Sequence, residues 1–141
     1  MGTALSAKTI AVSTALALLP AAAFADTKIA AVFDLTGGLN IYGIQQNNAL
    51  KLAVEDINAK GGVLGGPIDV VSYDAQSEQS KYIQYSNTAI LKDRAKALFA
   101  GLTSSSREAV RPIIRKANIP YFYSALYEGG ACDKQTFITG S

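Results

Sequence analysis

Short apolar runs recur along this chain about every 30 residues, and stretches with apolar residues at helical spacing lie between them, the rhythm of successive βαβ units. The first run, Lys28-Ile29-Ala30-Ala31-Val32-Phe33, stops at Asp34-Leu35-Thr36-Gly37-Gly38, as a buried strand opening into a loop would. Ala49, Leu50, Ala53, Val54 and Ile57 then recur opposite Lys51, Glu55 and Asp56 until Gly61-Gly62, which predicts a helix that buries that side. Gly65-Gly66-Pro67 turns the chain into a second β-branched run, Ile68 to Tyr73, closed by Asp74. Ser77 is expected to cap the next helix, with Tyr82, Ile83, Ala89, Ile90 and Leu91 on its apolar side. A third strand is expected over 97–100, a helix through Ala109, Val110, Ile113, Ile114 and Ala117, and a fourth strand over Tyr121-Phe122-Tyr123. Thr136 to Ser141 reads as the opening of one more strand-and-helix step. The fold class that follows is α/β, a doubly wound parallel sheet with helices on both faces.

Ahead of this pattern, Lys8, the apolar stretch from Thr9 to Ala23 and the small-x-small site Ala23-Phe24-Ala25 read as a cleaved export signal. Pro20 interrupts the stretch, which is short for a membrane helix of about 20 residues. Residues 1–25 are therefore expected to be a signal peptide and residues 26–141 one folded unit working in the periplasm. No cysteine near the site offers a lipid anchor.

Without Lys8, twelve Lys and Arg face eleven Asp and Glu, so no charge excess calls for nucleic acid. Arg107, Arg111 and Arg115, four apart, are expected to form a solvated ridge on one helix. With no histidine and one cysteine, the chain builds neither a Cys/His zinc site nor a histidine-activated nucleophile. None of its glycine pairs matches a phosphate loop, and neither cofactor nor enzyme activity is expected. Cys132 is a leftover cysteine in an oxidising compartment, and a partner outside this sequence is the favoured explanation.

In an open parallel sheet ligands bind beyond the carboxyl ends of the strands. Two of those loops are chemically rich. Thr103-Ser104-Ser105-Ser106 sets four hydroxyls just before a helix, whose N-terminus favours a carboxylate or carbonyl oxygen, although plain N-capping needs only one of them. The second holds Tyr121 and Tyr123 of the fourth strand and, after it, Tyr127 with Glu128; the first two share a side of that strand and are equally explained by core packing, while Tyr127 lies past it and is the better pocket residue.

The export signal, Asp34-Leu35-Thr36-Gly37 with Tyr42-Gly43, Ala53-Val54-Glu55-Asp56-Ile57-Asn58 and Gly61 to Gly66 together resemble the periplasmic substrate-binding proteins of branched-chain amino acid and amide ABC importers. Tyr73-Asp74, Gly101 to Ser105 and Pro120 to Tyr123 continue the match in order, over the whole of residues 26–141. The resemblance implies two lobes hinged over one small polar ligand, a membrane permease as partner, and a monomer. This chain would supply an N-terminal lobe in part, the second lobe being absent. It further implies that Ser104 holds a ligand oxygen, that Ala125 and Tyr127 contribute after the fourth strand, and that Ser105 and Tyr42 make further contacts. The residue holding an α-ammonium group would come from the second lobe. Tyr127 to Cys132 is more similar to the amide- and urea-binding branch, which puts urea or a short amide ahead of Leu, Ile or Val, although Ala125-Leu126 departs from that branch. An amide-sensing regulator of the same fold is the alternative, and the export signal argues against it.

Overall fold

In the computed structural model the described residues are 26–125, 130 and 132–140. The expected export signal, Tyr127 and Glu128 lie outside them. The elements run β1 (Thr27–Phe33), α1 (Asn40–Ala59), β2 (Ile68–Asp74), α2 (Gln79–Leu91), β3 (Leu98–Ala100), α3 (Ser104–Ala117), β4 (Tyr121–Tyr123) and β5 (Thr136–Ile138). All strands pair in parallel, in the order β2-β1-β3-β4-β5. The expected doubly wound α/β sheet is thus the observed one.

β1 lies inside the sheet, between β2 and β3, as suits a run that is apolar on both faces, and Ile29 to Phe33 are all buried. Alternation sends Ala30 and Val32 into the cluster formed with Tyr82 and Ala89 of α2 and with Val110 and Ile114 of α3. Leu98, Ala100, Tyr121 and Tyr123 complete that face from β3 and β4. Helix α1 packs on β1 and β2 from the other face, where Phe99, Phe122 and Phe137 also stack in series at 4.7 and 5.3 Å between centroids.

Helix α1 meets the sheet through a stripe that the apolar spacing misplaces. Its buried residues are Gly43, Asn47 and Val54, whereas Ala49, Ala53 and Ile57 of the expected face are exposed. The reason is polar anchoring. Asn47 Oδ1 accepts from the Ser72 hydroxyl at 3.2 Å, Asn58 binds the backbone of Ile68, and at Gly43 the helix comes so close that a Cβ would lie 2.2 Å from the Asp34 carbonyl oxygen.

Two further expectations are corrected. Ser77 does not cap α2, which starts after Glu78; Ser77 has φ 60°, its amide donates to Asp34 Oδ1 at 2.7 Å, and its hydroxyl accepts from the Leu39 amide at 3.0 Å. The arginine ridge is not solvated. Arg107 is buried and Arg111 half-buried, paired to Glu108 and to Asp133 ahead of β5, so of the series only Arg115 is exposed.

Candidate functional site

The strand order reverses beside β1: the chain passes from β1 outward to β2, then returns to lay β3 on β1's other edge. The loops leaving β1 and β3 therefore diverge, which opens a crevice at the carboxyl ends of the strands. A cavity of about 770 Å³ occupies that place. After β1 it is lined by Leu39, Tyr42, Gln45 and Gln46; after β3 by Leu102, Thr103 and Ser104; after β4 by Ser124 and Ala125; and after β5 by Gly140.

The loop after β3 is shaped by its own hydroxyls. Thr103 is the N-cap of α3 and its Oγ1 accepts from the Ser106 amide at 3.2 Å in a capping box. The buried Ser106 hydroxyl donates to the Thr103 carbonyl at 2.7 Å and accepts from the amides of Leu102 and Thr103, each at 3.2 Å. Thr103 and Ser106 thus shape the turn, and Ser104 is the serine of the run that lines the cavity. Gly101 makes the turn with φ 85°, and a Cβ there would lie 3.0 Å from the Tyr121 hydroxyl and 3.2 Å from Tyr123 Cδ2.

Tyr121 and Tyr123 are wholly buried and serve this loop from beneath: Tyr121 donates to the Ala100 carbonyl at 3.1 Å and Tyr123 to the Leu102 carbonyl at 2.7 Å. Burial pushes the Tyr121 phenol far above its ordinary range. They are packing residues, one of the two readings left open above.

The loop after β1 is held by carboxylates. Asp74 Oδ1 accepts from the amides of Leu35, Thr36 and Gln76, and its Oδ2 from the Thr36 hydroxyl at 2.6 Å. Burial alone would raise the Asp74 pKa, but these hydrogen bonds outweigh it and hold the carboxyl below its usual range. Asp34 is buried beside Tyr82, whose phenol is pushed far up, first by burial and then by the Asp34 charge. The Asp34-Leu35-Thr36-Gly37 turn therefore aims the start of α1 at the crevice and does not itself line it.

Of the residues expected at a site, Ser104, Ala125 and Tyr42 meet in this one cavity. Ser105 does not line it; its hydroxyl is exposed and lies 2.9 Å from Thr103 Oγ1. Tyr127 is outside the described residues. Gln46 escaped the sequence reading, although it stands one helical turn after Tyr42 on the same face. Its Nε2 donates to the Ser124 hydroxyl at 3.1 Å and to the Gly101 carbonyl at 3.5 Å, tying α1 to the ends of β3 and β4. Among the described residues, no group of three or more His, Cys, Asp or Glu could hold a metal, and no helix is long and apolar enough to cross a membrane.

A model of the periplasmic binding protein family matches residues 26–141. Leu/Ile/Val-binding protein homolog 7 of Brucella melitensis is 34% identical over 114 residues, covering 80% of this chain and 28% of that protein. The Leu/Ile/Val-binding protein of Escherichia coli K12 is 33% identical over 94 residues, covering 67% of this chain and 25% of that protein. The chain thus spans about a quarter of the length of the curated relatives it matches. Among solved structures, the branched-chain amino acid transporter substrate binding protein LivJ from Streptococcus pneumoniae, in complex with isoleucine, superposes with a TM-score of 0.76 at 29% identity, over 82% of this chain and 34% of that one.

Proposed function

The chain belongs to the periplasmic binding protein family, and from that premise we propose that residues 26–141 form the first lobe of the solute-binding component of an ABC importer. The ligand we propose is an α-amino acid with a branched aliphatic side chain, held in the crevice and handed to a membrane permease. The observation that carries this reading is the meeting of Ser104 at the α3 N-terminus with an apolar wall of Leu39, Tyr42, Leu102 and Ala125 in one cavity. The hydroxyl and the positive end of the helix dipole suit a carboxylate. The wall suits an aliphatic side chain, for which urea has no counterpart.

This order of ligands reverses the one drawn from Tyr127 to Cys132, and it is the order favoured by the names of the relatives, which are Leu/Ile/Val-binding proteins. Residues 1–25 act as the export signal in this reading, and closure of a second lobe supplies the contacts that one open lobe lacks. None of these steps is enzymatic.

The test is ligand-induced stabilisation of the two-lobe protein by Leu, Ile and Val, and by urea and acetamide at millimolar concentration. At a ligand concentration of 100 Kd the stabilisation is about 2.7 kcal/mol. A shift with the branched-chain amino acids alone supports the proposal. A shift with the amides alone restores the amide order, and no shift with any of them sinks the transport reading.

A further inference from the structure

Arg107 is one turn into α3, yet its side chain is only 3% exposed. A buried guanidinium calls for full compensation, and among the described residues this one has one carboxylate partner, Glu108. Its Nε donates to the half-exposed Glu108 carboxylate at 3.1 Å, while Nη1 is buried without a hydrogen-bond partner. An aromatic ring among the described residues also faces the cation: the guanidinium carbon stands 5.1 Å from the centroid of Tyr123. A desolvated cation over a ring is held more firmly than an exposed one.

Tyr123 is also the residue that reaches the rim of the crevice. Its hydroxyl donates to the Leu102 carbonyl at 2.7 Å, and its Cδ2 lies 3.2 Å from where a side chain on Gly101 would begin. Leu102 lines the cavity, and its amide is bound to the Ser106 hydroxyl. Arg107 itself does not line the cavity.

We infer that Arg107 is a positioning residue for the crevice rim: through the Tyr123 ring it fixes the Leu102–Thr103 backbone from which Ser104 follows. Its consequence for affinity rests on the binding reading above, whereas its effect on the rim does not. A cation suits the position because it grips the ring face without needing a hydrogen-bond partner on that side.

The experiment is amide hydrogen exchange on the two-lobe protein without ligand, well below its unfolding temperature, for Arg107→Met, Arg107→Lys and Tyr123→Phe. Arg107→Met is expected to speed exchange at Leu102 and Thr103 about tenfold or more, while the β1 amides of Ile29 and Ala30 keep their wild-type rates. Arg107→Lys, which retains a cation over the ring, is expected to stay within about threefold of wild type. Tyr123→Phe is expected to speed Leu102 exchange as Arg107→Met does. The inference is overturned by wild-type rim exchange in Arg107→Met, by equal acceleration of rim and β1, which marks a merely structural role, or by a lysine variant as disturbed as the methionine one. Ligand titration of the wild-type protein tests the transport reading separately. If that titration fails while the rim behaves as expected, only the functional consequence falls.

Discussion

Asn58 and Ile68 exchange two hydrogen bonds across the turn between α1 and β2: Asn58 Nδ2 donates to the Ile68 carbonyl at 2.9 Å, and Asn58 Oδ1 accepts from the Ile68 amide at 2.8 Å. One side chain thereby does the work of a neighbouring strand at the point where β2 begins. Asn58→Ala would leave both backbone groups of Ile68 without that partner, and is expected to lower stability by about 1–3 kcal/mol. Urea unfolding of the variant beside wild type measures it; an unchanged midpoint would mean that water replaces the asparagine without loss.

Gly43 is expected to reject the methyl group that helix propensity favours. Alanine in a helix is better than glycine by about 1 kcal/mol, but a Cβ on Gly43 would lie 2.2 Å from the Asp34 carbonyl oxygen and 2.6 Å from its amide nitrogen. Neither backbone atom can swing aside, so Gly43→Ala is expected to destabilise by about 1–3 kcal/mol. Gly38→Ala, with nothing within 4 Å of its Cβ, is expected to change stability by less than about 0.5 kcal/mol. Comparable thermal midpoints for the two variants would show that α1 can lift from β1 at little cost.

Asp133 gives the fold an acid-sensitive tie. Burial works to raise its pKa, but Arg111, the Thr136 hydroxyl and the Thr136 and Gln135 amides together bring it down to about 2. A carboxylate whose folded pKa is depressed stabilises fully above its unfolded value, about 3.9, and loses that contribution as pH falls through about 2. The stability gap between wild type and Asp133→Asn is therefore expected to be constant from pH 5 to 7 and to shrink below about pH 4. A gap independent of pH would place the tie in packing rather than in charge.

Ser104 and Ser105, adjacent and alike, are expected to behave differently. On the transport reading, Ser104→Ala weakens ligand binding by about 1–3 kcal/mol, because a buried ligand oxygen loses its hydroxyl donor. Ser105→Ala is expected to leave affinity within about twofold, since Ser105 stands outside the cavity. Calorimetric titration of both variants settles the pair, and equal losses would require the rim to rearrange when ligand binds.

The strands were legible because β1 is buried on both faces, and β3 on one face and half-buried on the other, so both carry apolar residues at nearly every position. Their following turns were legible as well, through Asp34 to Gly38 and through Gly101. Helix α1 was misread in detail because its contact stripe includes glycine and asparagine, which apolar spacing passes over. Arg107 was misread for the opposite reason: a charged residue at helical spacing looks solvated until the ring that covers it is known.

By itself, the sequence determined the βα rhythm, which follows from local periodicity, and its ordered motifs carried the resemblance to the family; it also pointed to the loops after β3 and β4. Which serine lines the cavity, that Gln46 joins it, and that Tyr121 and Tyr123 hold the rim from beneath were decided by the tertiary structure. The physical reason is that a hydroxyl's role depends on its hydrogen-bond partner. For Ser106 those partners lie within its own turn, whereas for Tyr121 and Tyr123 they are the carbonyls of Ala100 and Leu102, which only the pairing of β3 with β4 brings within reach.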